Sequence, residues 1–208
     1  MPNAELQPIS LERAKNRLAH DIKTDPTDTF RELHSKVLAE VKKVESDLAA
    51  LDDSMAELEA GYAKQDSEYQ ARRAREVKLY GADSPLVSAL DASHRSHAEL
   101  RLPARKTALA LSNQMDRVFK NYLDGGFSPA ELRAAAEAGI GVLANTGPLT
   151  VAVEIFKSID KAIDRLDAEK RQAQQYALKL EILAKVIASF ATLYRTLRER
   201  AEQRLDDF

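Results

Sequence analysis

The sequence predicts an all-α protein, an elongated bundle of three long helices with coiled-coil-type packing and short helices at one end. Charged residues make up 31% of the chain, and it has no Trp, seven Gly and seven Pro. This composition is typical of long solvated helices, whereas a sheet protein needs frequent turns. Apolar residues also recur at heptad spacing, and the glycines and prolines cluster at a few positions. Each predicted element lies between two such clusters.

The first predicted element is a short helix that Ser10 can cap and that runs to about Ile22. Pro26 breaks the chain, and Asp28 can cap the helix that follows. We therefore predict two regions, an N-terminal short helix with its linker over 1–26 and the elongated helical bundle over 27–208.

A sustained heptad predicts the first long helix over about 28–80. Val37, Val44, Leu51 and Leu58 lie seven residues apart, and a second apolar seam follows four residues after each of them. Such a pattern is typical of a helix that packs along its whole length against other helices.

The second long helix is predicted over about 84–124. Gly81 ends the first long helix, and Ser84 and Pro85 are typical of the start of the next one. Its apolar register passes through Pro103 unchanged, which favours one kinked helix. Facing positions of the two helices have residue numbers that add to 166, as in an antiparallel hairpin: Val44 with Tyr122, Leu51 with Met115 and Leu58 with Ala108.

The last part of the chain is predicted to hold one short and one long helix. Ser128 and Glu131 form a capping box around Pro129 and predict a short helix over about 129–138. No Gly or Pro occurs after Pro148, so the final long helix is predicted over about 148–206.

Two motifs invite a chemical interpretation, and both fail on context. Residues 139–144 match the loose dinucleotide pattern G-x-G-x-x-A, but an Ala-rich helix precedes them where a strand is required. Asp91, His94 and His97 could hold a metal, but a di-iron bundle needs two Glu-x-x-His pairs and two further Glu. We predict a polar helix layer there, no cofactor, no metal and no catalytic residue, and therefore no enzyme.

Net charge and the N-terminal sequence limit the kinds of partner and the compartment that we expect. A formal net charge of −2 argues against a nucleic-acid partner, and the absence of Cys excludes disulfides and thiol catalysis. The polar N-terminus carries no Sec-type signal, so we expect a cytoplasmic protein, with secretion without a Sec signal as the alternative.

Basic residues gather where the seam of the predicted hairpin turns polar. We call this set the basic tip; it is a solvated helix face or a docking surface for an acidic protein, a membrane or nucleic acid. Its members are Arg72, Arg73, Arg75, Lys78, Arg95, Arg101, Arg105 and Lys106.

An apolar stretch surrounds the Gly147-Pro148 turn. We call it the apolar segment; it is a buried cap or subunit contact, or else a membrane-active hairpin. Its members are Ile140, Val142, Leu143, Leu149, Val151, Val153, Ile155 and Phe156. Long helices with an apolar turn at one end are similar in layout to α-helical pore-forming toxins.

These observations favour a non-enzymatic helical interaction protein, a coiled-coil adaptor or assembly component. It would bind protein partners and self-associate as a homo-oligomer, because the apolar seams exceed what one hairpin can bury. The alternative is a membrane-acting helical protein, such as an α-helical pore-forming toxin subunit or a secreted translocation factor.

Overall fold

The computed structural model describes residues 6–125, 128–144, 146 and 150–206, and the described part of the chain is helical with no strand. The all-α class is confirmed. Seven helices lie in the described residues: α1 (Leu11–Thr24), α2 (Asp28–Tyr80), α3 (Pro85–Glu99), α4 (Ala104–Leu123), α5 (Pro129–Ala144), α6 (Thr150–Ala168) and α7 (Gln172–Leu205).

Local sequence sets several helix ends. Gly81 ends α2 with a φ of +84°, which a residue with a Cβ rarely adopts. The Ser84 hydroxyl accepts a hydrogen bond from the Leu86 N–H at 3.2 Å, and Pro85 occupies the first position of α3. The Ser128 hydroxyl likewise accepts from the Glu131 N–H at 3.4 Å at the start of α5.

The helix predicted over 84–124 is two helices, α3 and α4. Pro103 has no N–H to donate into a continuous helix, and its ring drives Leu102 away from the helical conformation. The backbone leaves the helix after Glu99, and α4 begins at Ala104. The apolar register continues through the break, but the two helices bury it against different neighbours: α3 packs on α2, whereas α4 packs on α5, α7 and α1.

The final helix predicted over 148–206 is also two helices, α6 and α7. Glu169 Oε1 accepts hydrogen bonds from the N–H groups of Lys170 and Arg171 at 3.0 and 2.9 Å. A side chain that binds the backbone in this way replaces helical hydrogen bonds and needs neither Gly nor Pro. In contrast, α5 runs to Ala144, six residues beyond the predicted end at 138.

The long helices α2 and α7 pack together in parallel along most of α7. Phe30 and Tyr176 meet edge to face at one end, Asp47 lies 3.3 Å from Arg195 in the middle, and Ser54 Oγ lies 3.3 Å from a carboxylate oxygen of Glu202 at the other end. Residue numbers therefore rise together along the pair.

The shorter helices lie alongside this pair. Helix α1 packs between α2 and α4, α5 packs between α4 and α7, and α6 covers α7 and part of α5. The Ser10 N–H donates to Asp116 Oδ1 at 2.7 Å, and Leu11, Ala14 and Leu18 of α1 are buried in the common core. Because α1 separates the first half of α2 from α4, the seam positions of those two helices face α1 and α7 rather than each other, and the direct facing pairs of the predicted hairpin are not formed there.

Helices α2 and α4 run antiparallel, as the predicted hairpin requires. They make little direct contact: beyond α1, Arg105 at the start of α4 pairs with Glu59. In the segment that precedes α4, the Leu102 N–H donates to Tyr62 Oη and Arg101 pairs with Asp66. The residue numbers of these pairs add to 164, 164 and 167, close to the predicted 166.

Candidate functional site: a polar two-helix arm

The core of the molecule ends before α2 does. Leu58 is the last buried residue of α2, and α7 reaches only as far as the neighbourhood of Ser54. Residues 59–103 are all described, and Val87 is the only buried side chain among them. They form an arm of two antiparallel helices, the end of α2 and α3, which we call the arm; the remaining helices are the body.

An ion-pair network centred on Asp66 holds the base of the arm. Arg101 Nη1 donates to Asp66 Oδ2 at 2.9 Å, and His94 Nε2 lies 2.8 Å from Asp66 Oδ1. Hydrogen bonds from Arg101 and then His94 lower the pKa of Asp66 from 3.8 to about 2. The carboxylate therefore stays ionised wherever the protein is near neutral pH.

A second cluster lies nearer the tip. Arg73 binds Asp91 through Nε at 2.9 Å and Nη2 at 3.2 Å, and the Tyr69 hydroxyl donates to Asp91 Oδ1 at 2.8 Å. Arg73 and then Tyr69 lower the pKa of Asp91 below its ordinary value. Two carboxylates, one from each helix of the arm, thus hold the arm together where apolar packing is scarce.

Aromatic rings complete the seam of the arm. Tyr69 stacks on His94 with 3.8 Å between ring centroids, and the Arg101 guanidinium lies 4.8 Å from the centroid of the Tyr62 ring. Beside this stack runs a groove of about 300 Å³. Its lining includes Gln65, Glu68, Arg72, Leu90, Ser93 and His97.

The structure separates the basic tip into two groups. Arg73, Arg101 and Arg105 are half-buried and engaged in ion pairs between helices. The remaining members are exposed and form no ion pair with a described residue: Arg72, Arg75, Lys78, Arg95 and Lys106. Lys106 lies at the start of α4, in the body, so the exposed members of the basic tip that belong to the arm are the other four.

Apolar side chains are exposed at the end of the arm. Leu79, Tyr80 and Leu86 flank the Gly81 turn and are 57% to 63% exposed. They lie close in sequence to Arg75 and Lys78. An apolar patch beside exposed cations at the end of a projecting element is typical of a contact surface.

Sequence reasoning missed Asp66 and the ion-pair role of Asp91. The predicted sum of 166 would place Gln65 opposite Arg101 and Tyr69 opposite His97, whereas the contacts join Asp66 to Arg101 and Tyr69 to His94. Asp66 lies one position off the heptad seam, so seam positions alone could not reveal it. An acidic residue next to a polar seam, opposite an Arg, is the signal that was available.

The apolar segment lies in the body, and the end of α5 meets the C-terminal part of α7, which also reaches Ser54 near the base of the arm. Leu143 is buried, Ile140, Val142 and Ile155 are partly buried against the core, and Phe156 is half-buried with Arg133 over its ring at 5.1 Å. Leu149 and the side chains of Val151 and Val153 lie outside the described residues. The Leu143 carbonyl accepts a hydrogen bond from Arg200 at 3.0 Å.

The G-x-G-x-x-A motif and the Asp91–His97 motif both lie within helices. Gly139 and Gly141 lie within α5, whose backbone N–H groups are used by the helix. Asp91 and His94 bind Arg73 and Asp66 respectively, and no group of metal-binding side chains occurs among the described residues.

Comparisons with protein-family models, curated proteins and solved structures found no match. Within the described residues, no helix combines the length and apolar character needed to cross a membrane.

Proposed function

We propose that this chain is a non-enzymatic helical interaction protein, an adaptor or assembly component whose body carries the arm and whose arm contacts the partner. The observation that supports this proposal most is the arm itself. Its two helices are joined by ion pairs through Asp66 and Asp91, and its end presents Leu79, Tyr80 and Leu86. In this proposal the long helices pack in coiled-coil register and the protein works in the cytoplasm.

The chemistry of the tip suggests the character of the partner. Exposed Arg72, Arg75 and Lys78 attract an acidic surface over a distance of about 10 Å at 0.1 M salt. The apolar side chains beside them supply the area that a stable contact needs. We therefore propose an acidic protein surface with an apolar centre, and a second copy of the chain associating through the same apolar patch.

A membrane-acting protein, exported without a Sec signal, is the second candidate. The exposed Tyr80 and Leu79 beside Lys78 favour it, since aromatic and apolar side chains flanked by lysines suit the interface of an anionic bilayer. The two functions differ in what lies against position 80.

A photo-crosslinker at position 80 tests the proposal. With p-benzoylphenylalanine in place of Tyr80, irradiation in the native host should give a discrete crosslink to another protein chain. The yield should fall at least tenfold when Arg72, Arg75 and Lys78 are changed to Glu, because the electrostatic attraction is reversed.

The same probe at Lys36, an exposed position on α2 in the body, is the control. Crosslinks to lipid alone from position 80 would support the membrane-acting candidate in place of the adaptor. Equal protein crosslinking from positions 36 and 80 would contradict a role for the arm.

A further inference from the structure

A second charged surface lies in the body, in the groove between α6 and α7. The groove has a volume of about 530 Å³, within the range of small-ligand sites. Three of its cations come from α6, namely Lys157, Lys161 and Arg165, and the fourth, Lys185, comes from α7. None of these residues belongs to the arm, so the inference is independent of the proposed function.

Helix geometry places the three α6 cations in one row. They follow one another at four-residue spacing, which puts neighbouring side chains on the same face about 5 to 6 Å apart. Lys185 stands on the opposite wall, where its Nζ donates to Ser158 Oγ at 2.8 Å. It is half-buried, so its charge is held towards the groove.

The charge of this groove is not balanced by carboxylates. Glu154 is the only acidic residue of the lining, and Arg165 is additionally 3.8 Å from Glu181. Lys157 and Lys161 are exposed and form no ion pair with any described residue. A cluster of four cations stands out in a chain whose formal net charge is −2.

Shape decides which anion fits. The cations come from both helices that line the groove, so a small ligand seated between α6 and α7 can contact the row on α6 and Lys185 together. A row of about 12 Å across the three α6 residues suits several anionic groups in sequence. Lysine and arginine form charge-assisted hydrogen bonds with phosphate oxygens.

We infer that the groove between α6 and α7 binds a small ligand that carries two or more phosphate groups. Lys157 and Lys161 bind along one side of the ligand, Lys185 binds from the other, and Arg165 closes the end towards Glu181. In the absence of ligand, Ser158 holds Lys185 in place. When the ligand draws the Lys185 ammonium away from Ser158, the Ser158 hydroxyl donates a hydrogen bond to a phosphate oxygen.

Calorimetric titration of the full chain with inorganic tripolyphosphate tests the inference, in a buffer without divalent cations. Wild-type protein should bind, and orthophosphate should bind at least tenfold more weakly because it spans fewer cations. The affinity for tripolyphosphate should fall at least tenfold in Lys157→Glu/Lys161→Glu and also in Lys185→Met.

A matched control changes two exposed lysines of α2, in Lys36→Glu/Lys42→Glu, which alters the net charge equally. Circular dichroism and thermal melting check that each variant is folded. A loss of affinity in the control equal to that in Lys157→Glu/Lys161→Glu would overturn the inference, because the binding would then follow net charge. So would wild-type affinity in the Lys185→Met variant, or binding to phosphatidylserine vesicles with none to tripolyphosphate.

Discussion

Gly139 and Gly141 look alike in the sequence, yet they have opposite surroundings. A Cβ on Gly139 would lie 3.0 Å from Phe190 Cε1 and 3.2 Å from Leu193 Cδ1, whereas a Cβ on Gly141 would meet nothing within 4 Å. Phe190 and Leu193 are buried, so they have little room to move. The absent side chain at Gly139 therefore allows the close approach of α5 to α7.

This pair gives a prediction with an internal control. Gly141→Ala should stabilise the protein by about 0.5 to 1 kcal/mol, since Ala favours the helix at an open position. Gly139→Ala gains the same propensity but forces α5 away from α7, and overpacking of this kind costs about 1 to 3 kcal/mol. Urea denaturation should show Gly139→Ala to be the less stable of the two. Equal stability would mean that the contact with Phe190 is loose.

At the scale of elements, local chemistry was predictable and lateral packing was not. Gly81, Ser84 and Pro85 define the turn of the arm through their own backbone preferences, so sequence suffices there. The break at Glu169 depends on a hydrogen bond from the Arg171 N–H to the Glu169 side chain. The same side chain can instead extend into solvent from a continuous helix, and the sequence does not distinguish these two conformations.

Heptad spacing shows which face of a helix is buried, but not which helix covers it. Val44 and Tyr122 are buried as their seam positions predict, yet α1 packs between their helices. The basic tip likewise was only partly predictable from the sequence. A gathering of cations was visible in the sequence, whereas their division into exposed and paired groups depends on where Asp66 and Asp91 lie in three dimensions.

The carboxylate of Asp66 should control the order of the arm. Its pKa is lowered from 3.8 to about 2, so its contribution to stability is complete above pH 3.8 and is lost as the pH falls towards 2. Because the pair is partly exposed, Asp66→Asn should cost less than about 1 kcal/mol. Hydrogen exchange should become faster in residues 59–103 and stay unchanged in the body.

Glu68→Gln is the matched control for this prediction. Glu68 lies two residues away on the same helix and is largely exposed, and its one ion pair with a described residue is with Lys64, at 4.0 Å. The wild-type arm should lose exchange protection relative to the body as the pH falls from 3.8 towards 2. Equal protection of the arm in Asp66→Asn and wild-type protein would show that Asp91 and Arg73 alone hold the two helices together.

At the scale of the whole molecule, the buried core and the proposed contact surface are separated in space. The buried side chains of α1, α4, α5, α6 and α7 lie in one core with the first half of α2, whereas the one buried side chain of the arm, Val87, lies outside that core. Stabilisation of the body by burial, at about 25 cal/mol per Å², therefore does not depend on the arm. Substitutions at exposed positions of the arm should therefore leave the core of the body intact.

Removal of the arm tests this separation. Residues 63–101 are replaced by a linker of about six Gly and Ser residues, which spans roughly 13 Å and joins Tyr62 to Leu102. This length is sufficient because the Leu102 N–H lies 3.1 Å from the Tyr62 hydroxyl. The shortened chain should keep its helical body and melt within a few degrees of the full chain, since the core is intact. If the apolar patch at Leu79 and Leu86 mediates self-association, sedimentation should show a monomer where the full chain forms a larger species.

Removal of residues 1–24 is the contrasting variant. The loss of Leu11 and Leu18 alone costs about 1.5 to 3 kcal/mol each and should lower the melting temperature strongly. An unfolded protein after removal of the arm, with a folded one after removal of α1, would place the stabilising interactions in the arm and contradict the division proposed for this molecule.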